Sequence, residues 1–120
     1  MILVDTSVWV HHLRRTQSAL VTLLQDDLVL CHPWIIGELS LGSLKDRSDF
    51  LPMLGILPRV QPLQEHLVFD FIEKNRLFSR GIGWVDAQLL AACISWPARL
   101  WSADKKMNDI AHEMGIGWAC

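Results

Sequence analysis

Apolar and polar positions follow one another along this chain in blocks that predict strands separated by helices. Three short, β-prone apolar runs occupy residues 1–4, 28–31 and 100–103, and each is followed by a polar or turn residue and then by helical periodicity. Strands that alternate with helices in this way form parallel sheets. The pattern therefore predicts an α/β fold in which helices cover both faces of the sheet.

The helices between these strands differ in how much apolar surface they carry. An amphipathic spacing predicts a helix over residues 63–78, whereas the nearly continuous apolar run at 84–96 predicts a buried helix that ends at Pro97. The same signals predict further helices at 33–44, 50–57 and 105–114. Short strands at 58–62 and 116–119 complete the prediction, which is a mostly parallel sheet of four to five strands.

Four acidic residues lie beside or inside apolar runs, unlike most other acids of the chain. Asp5 closes the first run, Glu38 interrupts the apolar run at 34–37, Asp86 opens the run at 87–92, and Asp104 ends the run at 100–103. An unpaired charge in apolar surroundings is costly. These four positions therefore need a functional or structural reason.

The predicted topology brings the four carboxylates to one edge of the sheet. Asp5 and Asp104 follow strands, and sites of parallel sheets form beyond the carboxyl ends of the strands, above all where strand order reverses. Helices on both sides of such a sheet begin at that edge. Glu38 lies early in one helix and Asp86 in the first turn of another, so all four are expected in one cleft.

Electrostatic repulsion decides what fills this cleft. Two carboxylates about 4 Å apart repel each other by ~4 kcal/mol at an effective dielectric constant of about 20, so protons or cations must neutralise them. Oxygen ligands without a set of cysteines or histidines favour Mg²⁺, or else Mn²⁺, over zinc. We expect Asp5 and Asp86 to bind the metal directly, with Glu38 and Asp104 completing the site directly or through water.

Phosphodiester hydrolysis by a metal-activated water is the chemistry that such a site supports, with the four carboxylates as its catalytic residues. Thr6 and Ser7 could add a hydroxyl contact to Asp5, to a metal-bound water or to a phosphate.

Composition bounds the possible classes of protein. A length of 120 residues fits one domain, residues 1–120, with a core that needs no disulfides. A hydrophobic content of 51% with six tryptophans predicts that an oligomer contact or a partner covers some apolar surface. Three cysteines without C-x-x-C spacing suit a reducing compartment.

The first ten residues do not resemble a signal peptide, because Asp5 interrupts their apolar stretch and no basic region precedes it. No stretch is apolar for the length that a membrane helix requires. A cytoplasmic location without membrane contact is therefore expected.

A net charge of −2 argues against a protein that coats nucleic acid by bulk charge alone. The chain has 13 acidic and 11 basic residues, so setting the four acids aside leaves a mildly positive remainder. One concentrated negative spot in basic surroundings fits a metal-bridged phosphate site.

Four segments, taken in order, resemble the motifs of PIN-domain ribonucleases. They are Ile-Leu-Val-Asp-Thr-Ser-Val-Trp at 2–9, Ile-Gly-Glu-Leu-Ser-Leu-Gly at 36–42, Gly-Ile-Gly-Trp-Val-Asp-Ala-Gln-Leu-Leu-Ala-Ala at 81–92 and Leu-Trp-Ser-Ala-Asp-Lys-Lys at 100–106. Each segment alone is weakly specific, but four at family-like spacing are strongly so. More narrowly, the chain is similar to the VapC toxins of type II toxin–antitoxin pairs.

This resemblance implies a three-layer α/β/α sandwich and a magnesium-dependent endoribonuclease. It also implies a homodimer, and inhibition by a VapB antitoxin whose C-terminal segment blocks the acidic cleft. Asp5, Glu38, Asp86 and Asp104 match the acidic quartet of the family.

The chain departs from the family pattern after the fourth acid. Many relatives carry an acid and an aromatic residue there, whereas this chain has Lys105, Lys106 and Met107. Asp109, one turn further on, is a candidate substitute or fifth acid. Asp104 is preferred because it directly follows the strand.

Each acid also has a purely structural interpretation. Asp5 and Asp104 could cap the helices that follow them, Asp86 could stabilise a helix dipole, and Glu38 could be a solvated helix residue. Similar alternatives hold for the residues considered for RNA contact. They are the basic residues His11, His12, Arg14, Arg15, Arg80, Lys105 and Lys106, which could instead be solvated or ion-paired, and Trp9, Trp34 and Trp84, which suit core or dimer contacts better than base stacking.

Two other classes of function compete with the ribonuclease. A phospho-receiver signalling domain also has an acidic pocket at strand ends, but it expects an acidic pair on the first strand and a phosphoacceptor after the third. Asp5 stands alone, and residues 59–62 supply no acceptor. A non-catalytic protein that binds RNA or a partner remains the second alternative, and a nuclease assay distinguishes it.

Overall fold

A three-stranded parallel sheet forms the centre of the computed structural model, which describes residues 1–119. Leu3 of the middle strand pairs with Leu30 on one side and with Leu100 on the other. The strand order is β2-β1-β3, where the strands are β1 (Ile2–Val4), β2 (Val29–Leu30) and β3 (Arg99–Trp101).

The prediction of four to five strands is wrong, because only three strands form within residues 1–119. Segment 58–62 does lie beside β2, but it contributes a single bridge, between Cys31 and Arg59. Pro58 and Pro62 lack the N–H groups that a longer ladder needs. Within this segment, only the N–H of Val60 donates a hydrogen bond to the segment of β2, at 2.9 Å from the carbonyl oxygen of Cys31.

Segment 116–119 behaves in the same way at the opposite edge. It forms one bridge, between Gly117 and Leu100, with hydrogen bonds from Leu100 N–H to Ile116 O and from Trp118 N–H to Leu100 O. Because β3 ends at Trp101, it offers segment 116–119 little backbone with which to form further hydrogen bonds. Both segments therefore lie beside the edge strands, as the sequence predicts, but each forms a single bridge and neither is a strand.

Seven helices surround the sheet within the described residues. They are α1 (Thr6–Arg14), α2 (Ser18–Gln25), α3 (Pro33–Ser40), α4 (Arg47–Gly55), α5 (Glu65–Lys74), α6 (Trp84–Ser95) and α7 (Lys105–Glu113). The main departures from the prediction are α3, which ends before residue 44, and α5, which is shorter than 63–78. Arg76 adopts a left-handed φ of 51°, which does not continue a helix, so residues 76–78 lie outside α5.

The topology places helices on both faces and reverses strand order beside β1. The connection from β1 runs to β2 on one side, and the connection from β2 returns past β1 to β3 on the other. Because such crossovers are right-handed, the two connections lie on opposite faces of the sheet. The predicted α/β/α layering is therefore confirmed, and the carboxyl ends of β1 and β3 flank the switch point where ligands of such sheets bind.

The middle strand and α6 supply the centre of the hydrophobic core. Leu3 and Val4 of β1 and Leu89 and Leu90 of α6 have no solvent exposure. Residues 87–93 of α6 are buried without interruption, as the apolar run predicts. Among the helices of residues 1–119, none combines the length and the apolarity that a membrane crossing would take.

His32 is a buried titratable residue at the start of α3. Its ring is fully buried, and its Nδ1 accepts a hydrogen bond of 3.1 Å from the N–H of Trp34, which caps the helix. Burial lowers the pKa of His32 from 6.5 to about 4, because a charged imidazole would lose its hydration. The folded chain therefore holds this histidine neutral.

This burial predicts an acid-sensitive fold. The unfolded chain binds a proton at His32 below pH 6.5, but the folded chain binds it only below about 4. As the pH is lowered from 6.5 to about 4, the free energy of unfolding should therefore fall, by at most about 3 kcal/mol from this group. His32→Asn keeps a capping acceptor and removes the titration, so urea unfolding at several pH values should show a shallower decline. Equal slopes in the two proteins would refute this assignment.

Candidate active site

Asp5 lies at the end of β1 and is held in place by three hydrogen bonds. Its Oδ1 accepts from the N–H of Thr6 at 2.8 Å, and its Oδ2 accepts from Ser7 Oγ at 2.8 Å and from Ser102 Oγ at 2.9 Å. The side chain is nearly buried, with 6% exposure. These donors offset the loss of hydration that the carboxylate suffers on burial.

Ser102 connects this carboxylate to the end of β3. Its hydroxyl donates to Asp5 and also accepts from the N–H of Asp104 at 3.0 Å. Asp104 caps α7, and its Oδ1 accepts from the N–H of Met107 at 3.1 Å. One buried hydroxyl therefore fixes Asp5 and the backbone of Asp104 relative to each other.

Asp86 lies in the first turn of α6, where its Oδ2 accepts from the N–H of Gly83 at 3.0 Å. Burial raises the pKa of Asp86, and the negative charges of Asp5 and Asp104 raise it further, against the lowering effect of the Gly83 bond. The charges of Asp5 and Asp104 therefore act on Asp86, which places the start of α6 within electrostatic range of the carboxyl ends of β1 and β3.

Glu38 reaches the same region through Thr6. It lies on α3, and one of its carboxylate oxygens accepts from Thr6 Oγ1 at 2.7 Å. Thr6 follows Asp5 directly, so its hydroxyl bond places the Glu38 side chain beside the residues that end β1. Glu38 is solvent-exposed, in contrast to Asp5. The four acids thus lie around the carboxyl ends of β1 and β3, where Thr6 links Glu38 to this edge, Ser102 links Asp5 to the backbone of Asp104, and the charges of Asp5 and Asp104 act on Asp86.

The chemistry of these donors fits a hard divalent cation. All of them are carboxylate or hydroxyl oxygens, and the repulsion among the carboxylates favours a positive charge between them. Across residues 1–119, no three histidine, cysteine, aspartate or glutamate side chains form a ready-made metal cluster. Mg²⁺ does not require one, because it is bound through one or two carboxylates with water and substrate oxygens completing its coordination.

The capping interpretation is correct for Asp5 and Asp104, both of which cap helices. Capping uses one oxygen of each acid, while the second oxygen of Asp5 accepts from Ser7 and Ser102. Asp109 does not join the cluster through a contact of its own, since it forms an ion pair of 2.8 Å with Lys105 on the exposed side of α7.

The hydroxyl residues were only partly anticipated from the sequence. Ser7 contacts Asp5 as expected, whereas the hydroxyl of Thr6 binds Glu38 instead. Ser102 was missed. A hydroxyl two residues before an acid at the end of a strand is the signal that could have identified it, because such a side chain can reach the neighbouring strand end.

Two of three comparisons with known proteins found similar proteins. No protein-family model matches the chain. The chain is 43% identical to the protein named Ribonuclease VapC32 from two strains of Mycobacterium tuberculosis, over 120 residues that span 99% of this chain and 97% of that protein. Its fold is similar to that of PAE2754 from Pyrobaculum aerophilum, with a TM-score of 0.61, 16% identity, and coverage of 91% of this chain and 83% of that one.

The contacts of Ser102 predict that it stabilises the fold. Ser102→Ala leaves Asp5 Oδ2 with one donor fewer and the N–H of Asp104 without its acceptor, so the free energy of unfolding should fall by about 1–3 kcal/mol. Urea denaturation measures this loss. Ser40→Ala is the matched control, because the Ser40 hydroxyl donates only to Gly37 O within α3 and should cost less than about 0.5 kcal/mol. Equal losses in the two variants would contradict the role given to Ser102.

Proposed function

This chain belongs to the VapC family of PIN-domain ribonuclease toxins, and we propose that it is a Mg²⁺-dependent endoribonuclease that a VapB antitoxin inhibits. The observation that carries the proposal is the pair of hydrogen bonds by which Ser102 joins Asp5 to the backbone of Asp104 at the switch point of the sheet, with Asp86 within range of their charges. Family membership supplies the reaction class, and the acidic cluster supplies a place for it.

Asp5 and Asp86 are the proposed direct ligands of the cation. Asp5 is held rigidly by its hydrogen bonds, and Asp86 is partly buried with one oxygen bound to the Gly83 N–H. When bound, Mg²⁺ lowers the pKa of a coordinated water and stabilises negative charge on the phosphoryl oxygens. Mn²⁺ has the same preference for oxygen ligands and could replace it.

Glu38 and Asp104 are proposed to orient the attacking water. Thr6 Oγ1 binds one oxygen of the Glu38 carboxylate, which leaves the other to accept a hydrogen bond from water. Asp104 is exposed at the start of α7 with one oxygen bound to the Met107 N–H, so its second oxygen can do the same. Either carboxylate can accept the proton that the water loses as it attacks phosphorus.

A cavity of about 380 Å³ next to Glu38 suits the proposed antitoxin segment. It lies between α1 and α3, and apolar side chains such as Val10, Leu13 and Leu39 line it together with the cations Arg14 and Lys45. An amphipathic segment with an acidic residue could bury apolar groups there and pair with these cations. Its position beside Glu38 supports inhibition by blocking the acidic cleft.

The ribonuclease proposal predicts metal-dependent RNA cleavage. The purified free chain should cut structured RNA with millimolar Mg²⁺ or Mn²⁺ and stop when EDTA is added. Asp5→Asn should reduce the cleavage rate by at least about a hundredfold, because it removes a charged ligand. Asp109→Asn makes the same chemical change on an acid paired with Lys105, and its rate should stay within about twofold of wild type.

Gel electrophoresis of labelled RNA measures these rates. Cleavage that survives both EDTA and Asp5→Asn would reject the metal and acid mechanism. A chain that binds RNA but never cuts it would instead favour the alternative of a non-catalytic binding protein. No observation favours a phospho-receiver, because Asp5 is the only acid at the end of β1.

An exposed apolar patch supports the proposed homodimer. Phe69 of α5 and Trp84 of α6 pack with tilted rings, their centroids 5.2 Å apart, and are 51% and 41% exposed. Phe78 is also exposed and lines the same cavity as Trp84. A surface of this kind is costly to leave in water, and a second copy that presents the same patch would cover it.

Sedimentation at micromolar concentrations should therefore show a dimer. Phe69→Lys should shift it towards monomer, because it places a charge in the patch that the dimer would bury. Ile56→Lys changes an apolar residue that is 83% exposed at the end of α4 and should leave the dimer intact. A wild-type monomer at high micromolar concentration would refute the dimer.

A further inference from the structure

The basic residues Arg80, Lys105 and Lys106 differ in whether they form an ion pair with a carboxylate. Arg80 donates to both carboxylate oxygens of Glu113, at 3.0 Å each, and Lys105 forms an ion pair of 2.8 Å with Asp109. A phosphate that binds either residue must compete with its carboxylate. Within residues 1–119, Lys106 has no carboxylate at ion-pair distance.

Lys106 instead lies along the backbone at Gly81. A Cβ atom at Gly81 would be 2.8 Å from Lys106 Nζ and 3.0 Å from its Cδ, so both the ammonium group and the methylene stem rest on this residue. Gly81 has a φ of +81°, a conformation that glycine adopts without strain. The absence of a side chain at Gly81 is what allows the contact.

This contact places the Lys106 side chain beside the loop that leads to Asp86. Gly81 is two residues before Gly83, whose N–H binds the Asp86 carboxylate. Lys106 is itself two residues after Asp104, in the first turn of α7. The side chain therefore spans from the helix that Asp104 caps to the loop that leads to Asp86, while its charge remains exposed to solvent.

We propose that Lys106 binds a phosphate of the RNA at the edge of the acidic cluster, an inference that rests on the proposed ribonuclease function. A lysine ammonium group is a compact charge that binds non-bridging phosphate oxygens. Because the stem already rests on Gly81, the side chain loses less freedom on binding than a fully extended surface lysine does. The cation would hold a backbone segment whose charge the carboxylates alone would repel.

The test measures RNA binding without cleavage. Full-length protein carrying Asp5→Asn is titrated in EDTA against a fluorescein-labelled, mixed-sequence, single-stranded oligoribonucleotide, and fluorescence anisotropy gives Kd at several salt concentrations. Lys106→Met in this background should weaken binding about tenfold. The slope of log K against log salt should become shallower by about 0.7, the value for one phosphate contact on a single strand.

Lys105→Met is the matched control, because it removes the same charge from the adjacent residue of the same helix. It should change Kd by less than about twofold. Lys106→Arg keeps the charge and should bind within about threefold of the parent. Thermal unfolding of each variant checks that all are folded equally well.

The possible outcomes separate this inference from the ribonuclease proposal. Unchanged binding by Lys106→Met, or equal losses for Lys105→Met and Lys106→Met, would overturn the specific contact even if the wild-type chain cuts RNA. Binding that depends on Lys106 in a chain that never cuts RNA would support the contact and overturn the ribonuclease. A chain that neither binds nor cuts RNA would overturn both.

Discussion

The geometry of the acidic cluster depends on the hydrogen bonds that Ser7 and Ser102 donate to Asp5. These bonds join residues that follow two neighbouring strands, β1 and β3, at the point where strand order reverses. A nearly buried carboxylate needs such donors, and two hydroxyls from different segments can satisfy it only if the strand ends keep their register. The requirement to solvate Asp5 from within the protein therefore also fixes where Asp104 begins α7.

The structural and functional interpretations of these acids describe the same side chains. A residue that caps a helix after a strand has its position set by the backbone, and its cap bond occupies one carboxylate oxygen. Asp104 uses Oδ1 in this way, and Asp86 uses Oδ2 for the Gly83 N–H. Each retains a second oxygen for a ligand. Capping thus orients the acids, and it is a poor criterion for excluding a residue from a site.

The sequence predicted the order of the elements and the edge of the sheet at which the four acids lie, but it did not predict the hydrogen-bond partners of those acids. Apolar runs identify the strands and the buried α6, because an element that is buried on all sides carries an unbroken series of apolar residues. The ion pair of Lys105 with Asp109 can also be read from helical spacing. The contact of Ser102 with Asp5 joins residues 97 positions apart, and that of Arg80 with Glu113 joins residues 33 apart. Tertiary packing determines such pairs, and one sequence carries no periodic signal for them. The lengths of the edge pairings depend in the same way on prolines and on the end of the neighbouring strand.

The same repulsion that makes the acidic cluster unfavourable for folding would favour the cation proposed for this site. Burial and the charges of Asp5 and Asp104 raise the pKa of Asp86, so in the folded chain a proton competes for the place that a metal would take. The proposed cation would take the place of that proton and would relieve the repulsion among the carboxylates. Pairing of Arg80 and Lys105 with their own carboxylates leaves that repulsion in place.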